Sequence, residues 1–148
     1  MTRHQPPVRA ALNAYVKLLR TGKSVVARLE PRLAAAGLTI NQFGVLEAIL
    51  HKGPLTHGEL VRKVLTSAGN LSDVIDKLAR RNLVRRIRDP DDRRLVRVDL
   101  TDAGRQLIED LFPLHAGDIA GAMAGLDQTD LRALSALLRK MARGAPGP

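Results

Sequence analysis

The stretch S-A-G-N-L-S-D-V-I-D-K-L-A-R-R-N-L-V-R-R-I-R-D-P-D-D-R-R-L-V-R-V-D-L, Ser67 to Leu100, changes its hydrophobic period halfway along. In its first part Leu71, Val74, Ile75 and Leu78 recur at i, i+3, i+4 and i+7, which gathers them on one stripe of an α-helix. Ser67 stands where a hydroxyl can accept from the first free backbone N–H groups of that helix. In the second part Leu83 to Arg88 alternates Leu, Arg and Ile, and Leu95 to Leu100 alternates around Val96, Val98 and Leu100, the period of a strand. Between the strands D-P-D-D-R-R, Asp89 to Arg94, carries the proline and aspartates of a turn. The stretch therefore reads as one helix followed by a charged β-hairpin.

The flanking segments extend this pattern. Thr56 with Glu59 forms a capping box opening a short helix through Leu60, Val61 and Val64, joined to the next by Val64-Leu65-Thr66-Ser67. Before it, Thr39 with Gln42 opens a helix through Ile40, Phe43, Leu46 and Ile49 or Leu50, stopped by Gly53-Pro54. From about Val8 to Ala36 the period is again helical, with Pro31 expected to kink or restart the helix and Gly37 to cap it. Thr101 starts a helix through Leu107, Ile108, Leu111 and Leu114, with Pro113 a second expected kink. Asp127 caps a last helix through Leu131, Leu134, Leu137, Leu138 and Met141, ending at Gly144.

The expected order is four helices, a hairpin and two more helices, a mainly α chain with a small β-hairpin wing. Helices two to four and the hairpin make a complete small unit. The terminal helices carry more apolar surface than that unit can cover, so their economical partner is a second copy of the chain. With 148 residues and 45% apolar content, one domain with its own core is expected. Aromatics are only 2%, so the core is built from aliphatic side chains, which suits packed helices.

Charge narrows the function. The chain is net +9, and Lys77 to Arg105 holds ten Lys or Arg against five Asp, a net +5 in about a fifth of the length. A basic cluster on a helix and hairpin points to a polyanion. Opposite its apolar stripe the Ser67 helix presents Ala68, Asn70, Ser72, Asp73, Asp76, Lys77 and Arg80. Small and polar groups near its start allow close approach to base edges, where Asn70 and Ser72 can donate and accept. A solvated helix face would look much the same; the adjacent hairpin favours DNA. At the hairpin tip, the guanidinium of Arg93 or Arg94 suits the negative potential of a narrow minor groove, and Asp92 can pair with Arg94 and stiffen it. Charge at an exposed hairpin also keeps it soluble, and the two readings are compatible.

Several classes recede. Without cysteine there are no disulfides, thiolate metal sites or thiol redox sensing. Four histidines without metal-type spacing argue against zinc, and no cofactor or metal is expected. No glycine-rich phosphate loop, nucleophile motif or H-E-x-x-H suggests an enzyme. A winged module for protein or RNA is the remaining alternative, and the basic stretch lacks the stacking aromatics of many RNA readers. No apolar run approaches bilayer length and Met1 to Arg9 lacks the core of a signal peptide, so a cytoplasmic protein is expected.

The segments G-L-T-I-N-Q-F-G-V-L (37–46), G-P-L-T-H-G-E-L (53–60), L-T-S-A-G-N-L-S-D-V-I-D-K-L (65–78) and D-P-D-D-R-R-L-V-R-V-D-L-T-D-A-G-R (89–105) resemble the MarR family of bacterial transcription factors. The last is the most specific, with its D-x-R wing, alternating strand and T-x-x-G-R. The resemblance covers nearly the whole chain. It implies a homodimer held by terminal helices within 8–36 and 105–143, with 38–104 as a winged helix-turn-helix that binds a pseudo-palindromic operator, usually as a repressor. Ser67 to Lys77 match the recognition helix, and Asp92 and Arg94 match the wing pair, with Arg94 in the minor groove. Asp73 departs from the pattern, since many relatives carry Arg or a neutral polar residue there. The resemblance further implies release from DNA by a small aromatic or phenolic effector, for which Tyr15, Phe43, His51, Phe112 and His115 are the candidate pocket residues. His115 is alternatively a buried histidine of the dimer interface.

Overall fold

The computed structural model describes residues 6–64 and 67–144. Along them run α1 (Pro6–Ala35), α2 (Ile40–Lys52), β1 (Leu55–Thr56), α3 (His57–Lys63), α4 (Ala68–Arg80), β2 (Val84–Arg88), β3 (Val96–Leu100), α5 (Asp102–Ala122) and α6 (Gln128–Gly144). The expected helices and hairpin are all present. The sheet adds one strand that the sequence did not announce: β1 pairs antiparallel with β3, Leu55 opposite Val98, giving the order β1-β3-β2. Two residues are too few to show a period.

Local chemistry sets the helix ends. Thr39 with Gln42 and Thr56 with Glu59 each form reciprocal capping boxes, as their spacing predicts. Ser67 Oγ accepts from Asn70 N at 3.3 Å, starting α4. After α1, Gly37 adopts φ +70°, and Leu38 N–H donates to Leu33 O at 2.8 Å while Gly37 N–H donates to Ala34 O at 2.9 Å. This is a Schellman turn, and it brings Leu33 and Leu38 together in the core. The same turn ends α4, with Asn82 at φ 55° and Leu83 N–H donating to Leu78 O at 3.0 Å. Across the Gly37 turn the axes of α1 and α2 meet at 79°.

Neither proline interrupts its helix. α1 runs unbroken through Pro31 and α5 through Pro113. Pro31 deprives the carbonyl of Ala27 of a donor, and Pro113 that of Glu109; all four residues are exposed. Water can satisfy the freed carbonyls, so the restart expected at Pro31 is not needed.

The core lies between α2, α3, α4 and the sheet, closed by the end of α1 and the first half of α5. Leu33, Leu46, Ile49, Leu60, Leu71, Leu78 and Ile108 are fully buried in it. The outer parts of the chain differ sharply. α6 buries no residue at all, although Leu134, Leu137, Leu138 and Met141 project from it. Before Leu29, α1 likewise leaves Leu12, Tyr15, Val16 and Leu19 exposed.

Candidate nucleic-acid interface

The helix-turn-helix is formed by α3 and α4, and the wing by β2, β3 and the loop between them. Of the connection between the helices, Leu65 and Thr66 lie outside the described residues. On α4 the stripe Leu71, Val74, Ile75 and Leu78 is buried, which turns Ser67, Ala68, Asn70, Ser72, Asp73 and Lys77 outward, all exposed. Several of these are engaged with neighbours. Asp73 forms an i,i+4 ion pair with Lys77 at 2.7 Å, so its negative charge is offset one turn later. Ser72 Oγ lies 3.1 Å from His57 Nε2, on the first turn of α3. The sequence reading passed over His57, because a hydrogen bond across 15 positions and two helices leaves no local trace.

The wing loop is built on carboxylates. Asp92 accepts from Arg94 three times: from its backbone N–H at 3.1 Å, from Nε at 3.0 Å and from Nη2 at 3.0 Å. The guanidinium is held at two of its three nitrogens yet remains 90% exposed. These bonds hold the Asp92 carboxyl below the usual carboxylate range. Arg93, beside it, is also exposed, and its carbonyl accepts from Arg88 Nη1 at 3.0 Å.

Behind the tip is a polar network that sequence reasoning missed. Asp89 is buried at 6% exposure, and its Oδ1 accepts from Asp91 N–H at 2.8 Å and Asp92 N–H at 2.9 Å. Its Oδ2 accepts from Arg97 Nε on β3. Arg97 Nη1 donates to Glu59 Oε2 at 3.0 Å, and that oxygen also accepts from Thr56 N–H at 2.7 Å in the α3 capping box. Arg97 and the two backbone N–H groups hold the Asp89 carboxyl low; chiefly the Thr56 N–H, with help from Arg97, does so for Glu59. Hydrogen bonds thus run without a gap from the first turn of α3 to the wing arginine. The only sequence signal was an arginine, Arg97, at a strand position where a neighbour on the sheet can pair with it.

Where the hairpin meets α5, Thr101 Oγ1 donates to Asn82 O at 2.6 Å and accepts from Gly104 N–H at 3.0 Å. Thr101 N–H donates to Leu83 O at 3.1 Å. A Cβ on Gly104 would stand 1.9 Å from that same carbonyl oxygen. The T-x-x-G of the sequence is therefore a dock: the threonine caps α5, and the missing side chain lets α5 seat against the turn that follows α4. At the other side of that end, Arg81 donates to the carbonyls of Gly37 and Ala36, capping α1 with a cation.

The five residues proposed for an effector pocket separate into two groups. Phe43 and His51 line a groove of about 340 Å³ along α2, together with the charged Glu47, Lys52 and Lys63. Phe112 meets His51 edge-on at 4.8 Å between ring centroids, and His115 lies 4.2 Å from Phe43. His115 is buried within its own chain at 5% exposure, and its Nδ1 has no hydrogen-bond partner among the described residues. Tyr15 stands apart, 58% exposed on α1, about 21 Å along the helix from Leu29 where α1 joins the core.

A helix-turn-helix beside a basic, braced wing is the architecture of a winged-helix DNA-binding protein. Comparison with known proteins gives the family. Residues 38–96 match the MarR family. The chain is 34% identical over 137 residues to the uncharacterized HTH-type transcriptional regulator YkoM of Bacillus subtilis, covering 93% of this chain and 89% of that one. Among solved structures it superposes on BpsR of Bordetella bronchiseptica, whose DNA binding is regulated by 6-hydroxynicotinic acid. That match has a TM-score of 0.78 and 32% identity over 87% of this chain and 91% of the other. It also superposes on a mutant MarR of E. coli in complex with operator DNA, with a TM-score of 0.79 and 25% identity over 89% and 95% of the two chains. The protein belongs to the MarR family and is a transcriptional regulator that binds DNA. Its relatives are regulators, not enzymes. Among the described residues no single helix is long and apolar enough to cross a membrane.

Proposed function

We propose that the protein is a homodimeric repressor acting in the cytoplasm on a pseudo-palindromic operator. In this reading α4 enters the major groove and offers Ser67, Ala68, Asn70, Ser72, Asp73 and Lys77 to the DNA, while Arg94, braced by Asp92, enters the minor groove beside Arg93. The observation that carries it is the Asp92–Arg94 pair: a guanidinium fixed at two nitrogens yet 90% exposed, at the tip of a hairpin next to a polar helix face. Holding the side chain beforehand reduces the entropy lost on binding.

The dimer is supported by the unpartnered apolar faces of α1 and α6. It assigns 8–36 and 105–143 to dimerisation and 38–104 to DNA. Release by a small aromatic or phenolic ligand is supported by the largely apolar groove beside Phe43 and His51, and by the regulation of BpsR by 6-hydroxynicotinic acid.

Selection of duplexes from a random pool tests the central claim. Two inverted half-sites about one helical turn apart, bound with strong salt dependence, are expected. Recovery of single, unpaired sites or of no sequence preference would overturn the dimeric operator reading. Adding 6-hydroxynicotinic acid to the recovered complex then tests the effector class.

A further inference from the structure

Arg97 makes no use of its exposed surroundings; its guanidinium is turned into the protein, only 27% exposed, and is spent on two carboxylates of different elements. Glu59 belongs to the first turn of α3 and Asp89 to the wing loop. Asp89 passes the connection on, since its other oxygen fixes the backbone N–H of Asp92, whose own carboxylate holds Arg94. The network also receives a third contact, from Arg97 Nη1 to Pro54 O at 3.4 Å, just before β1. The hairpin is joined to its neighbours mainly along β3, and its backbone pairing runs into the loop through Asp89 N–H to Leu95 O at 3.0 Å and Leu95 N–H to Asp92 O at 2.9 Å; those bonds tie the hairpin to itself and do not set its tilt against α3. The forked guanidinium does, because it can satisfy two carboxylates at once in fixed directions, as a lysine ammonium does not.

We propose that Arg97 is the positioning residue of the wing: it sets where Arg94 stands relative to the helix-turn-helix without touching DNA itself. The inference rests on the reading of Arg94 as a DNA-contacting residue. It predicts that Arg97 acts on affinity only through Arg94. A residue that merely supports the fold would weaken binding whether or not Arg94 were present.

The test is a double-mutant cycle on the full chain, using the duplex recovered by selection with the unaltered protein, read by titration at several salt concentrations. Arg94→Ala should weaken binding and reduce the salt slope by about one. Arg97→Ala should weaken binding on the order of tenfold, the scale of one charge contact misplaced, and leave the salt slope nearer the wild-type value than Arg94→Ala does. In the Arg94→Ala background, Arg97→Ala should produce no further loss beyond about twofold. Equal losses in both backgrounds, or no loss from Arg97→Ala alone, would overturn the inference while leaving the wing reading intact. Wild-type affinity and slope for Arg94→Ala would remove the wing reading, and the inference with it. Should Arg97→Ala fail to fold, Glu59→Gln serves in its place, since glutamine preserves a capping box but not the charge facing Arg97. It should weaken binding a few-fold, about threefold, and again only when Arg94 is present; an additive loss overturns the inference.

Discussion

The middle of the molecule and its two ends use the same aliphatic side chains at the same helical spacing, and the outcome is opposite. In α2, α3 and α4 every apolar stripe meets another element of the same chain, and Leu46, Leu60, Leu71 and Leu78 are fully buried. In α6 Leu134, Leu137, Leu138 and Met141 stay exposed, and the helix buries no residue. A hydrophobic stripe therefore tells which face must be covered, and says nothing of whether the cover lies in the same chain. The winged-helix unit is complete in itself, whereas in the proposed dimer the ends are half of an interface.

Substitutions can break that contrast from either side. The largest effect is expected at Gly104, where any Cβ meets the Leu83 carbonyl. Gly104→Ala should destabilise the central unit by about 3 kcal/mol, the upper range of overpacking, lowering the melting temperature by roughly 10 °C. A variant melting with the wild type would disprove the tight seating of α5 on the turn between α4 and β2. Next comes the arm. Leu134→Glu with Leu138→Glu puts two carboxylates in the proposed dimer interface, and sedimentation should show monomers, while far-ultraviolet circular dichroism keeps the helical signal of the central unit. A variant that still sediments as a dimer places the interface elsewhere.

Smaller effects are expected at the join between the two regions. Arg81→Ala removes the cation from the carbonyls that end α1 and should lower stability by about 0.5 kcal/mol, measurable by denaturant titration. A loss above about 2 kcal/mol would mean that this exposed side chain holds the arm to the unit far more strongly than a helix-end charge does. The mildest perturbation is acid. Asp89, Asp92 and Glu59 are all held below their ordinary range, so the folded state favours their charged forms. Their contribution is complete above about pH 4.5, where the unfolded chain is also ionised, and it declines as pH falls through the depressed values. Stability should therefore be insensitive to these groups from pH 8 to about 5 and fall below about 4. In the Asp89→Asn variant that acid-dependent loss should be smaller; an identical pH profile would show that Asp89 is not part of it.

Much of the fold was legible because its instructions are local. Thr39 and Gln42 lie three residues apart, as do Thr56 and Glu59, and a capping box needs nothing else. The stripe of α4 needs only one helix to be read. The hairpin was legible from its alternation, and its tip from a proline among aspartates. The site was legible in part: the outward face of α4 follows from its buried one, and the Asp92–Arg94 pair spans two positions. His57 beside Ser72 and the Glu59–Arg97–Asp89 chain were not legible, because those partners lie 15, 38 and 8 positions apart. The restart expected at Pro31 did not occur for a related reason. Whether a proline ends a helix depends on whether water can reach the carbonyl it strands, and exposure is a property of the folded molecule.

Residue order, then, specified the helices, their caps, the hairpin and the basic face, each through interactions reaching no further than one or two turns. Folding in three dimensions specified what those elements do to each other. It made Gly104 indispensable by bringing a carbonyl to its α-carbon. It made Arg97 a bridge by setting a strand between a helix start and a wing loop. It left the arms bare because the single core was already filled. Distances between residues far apart along the chain are fixed only when the backbone closes on itself, and each of these features depends on such a distance.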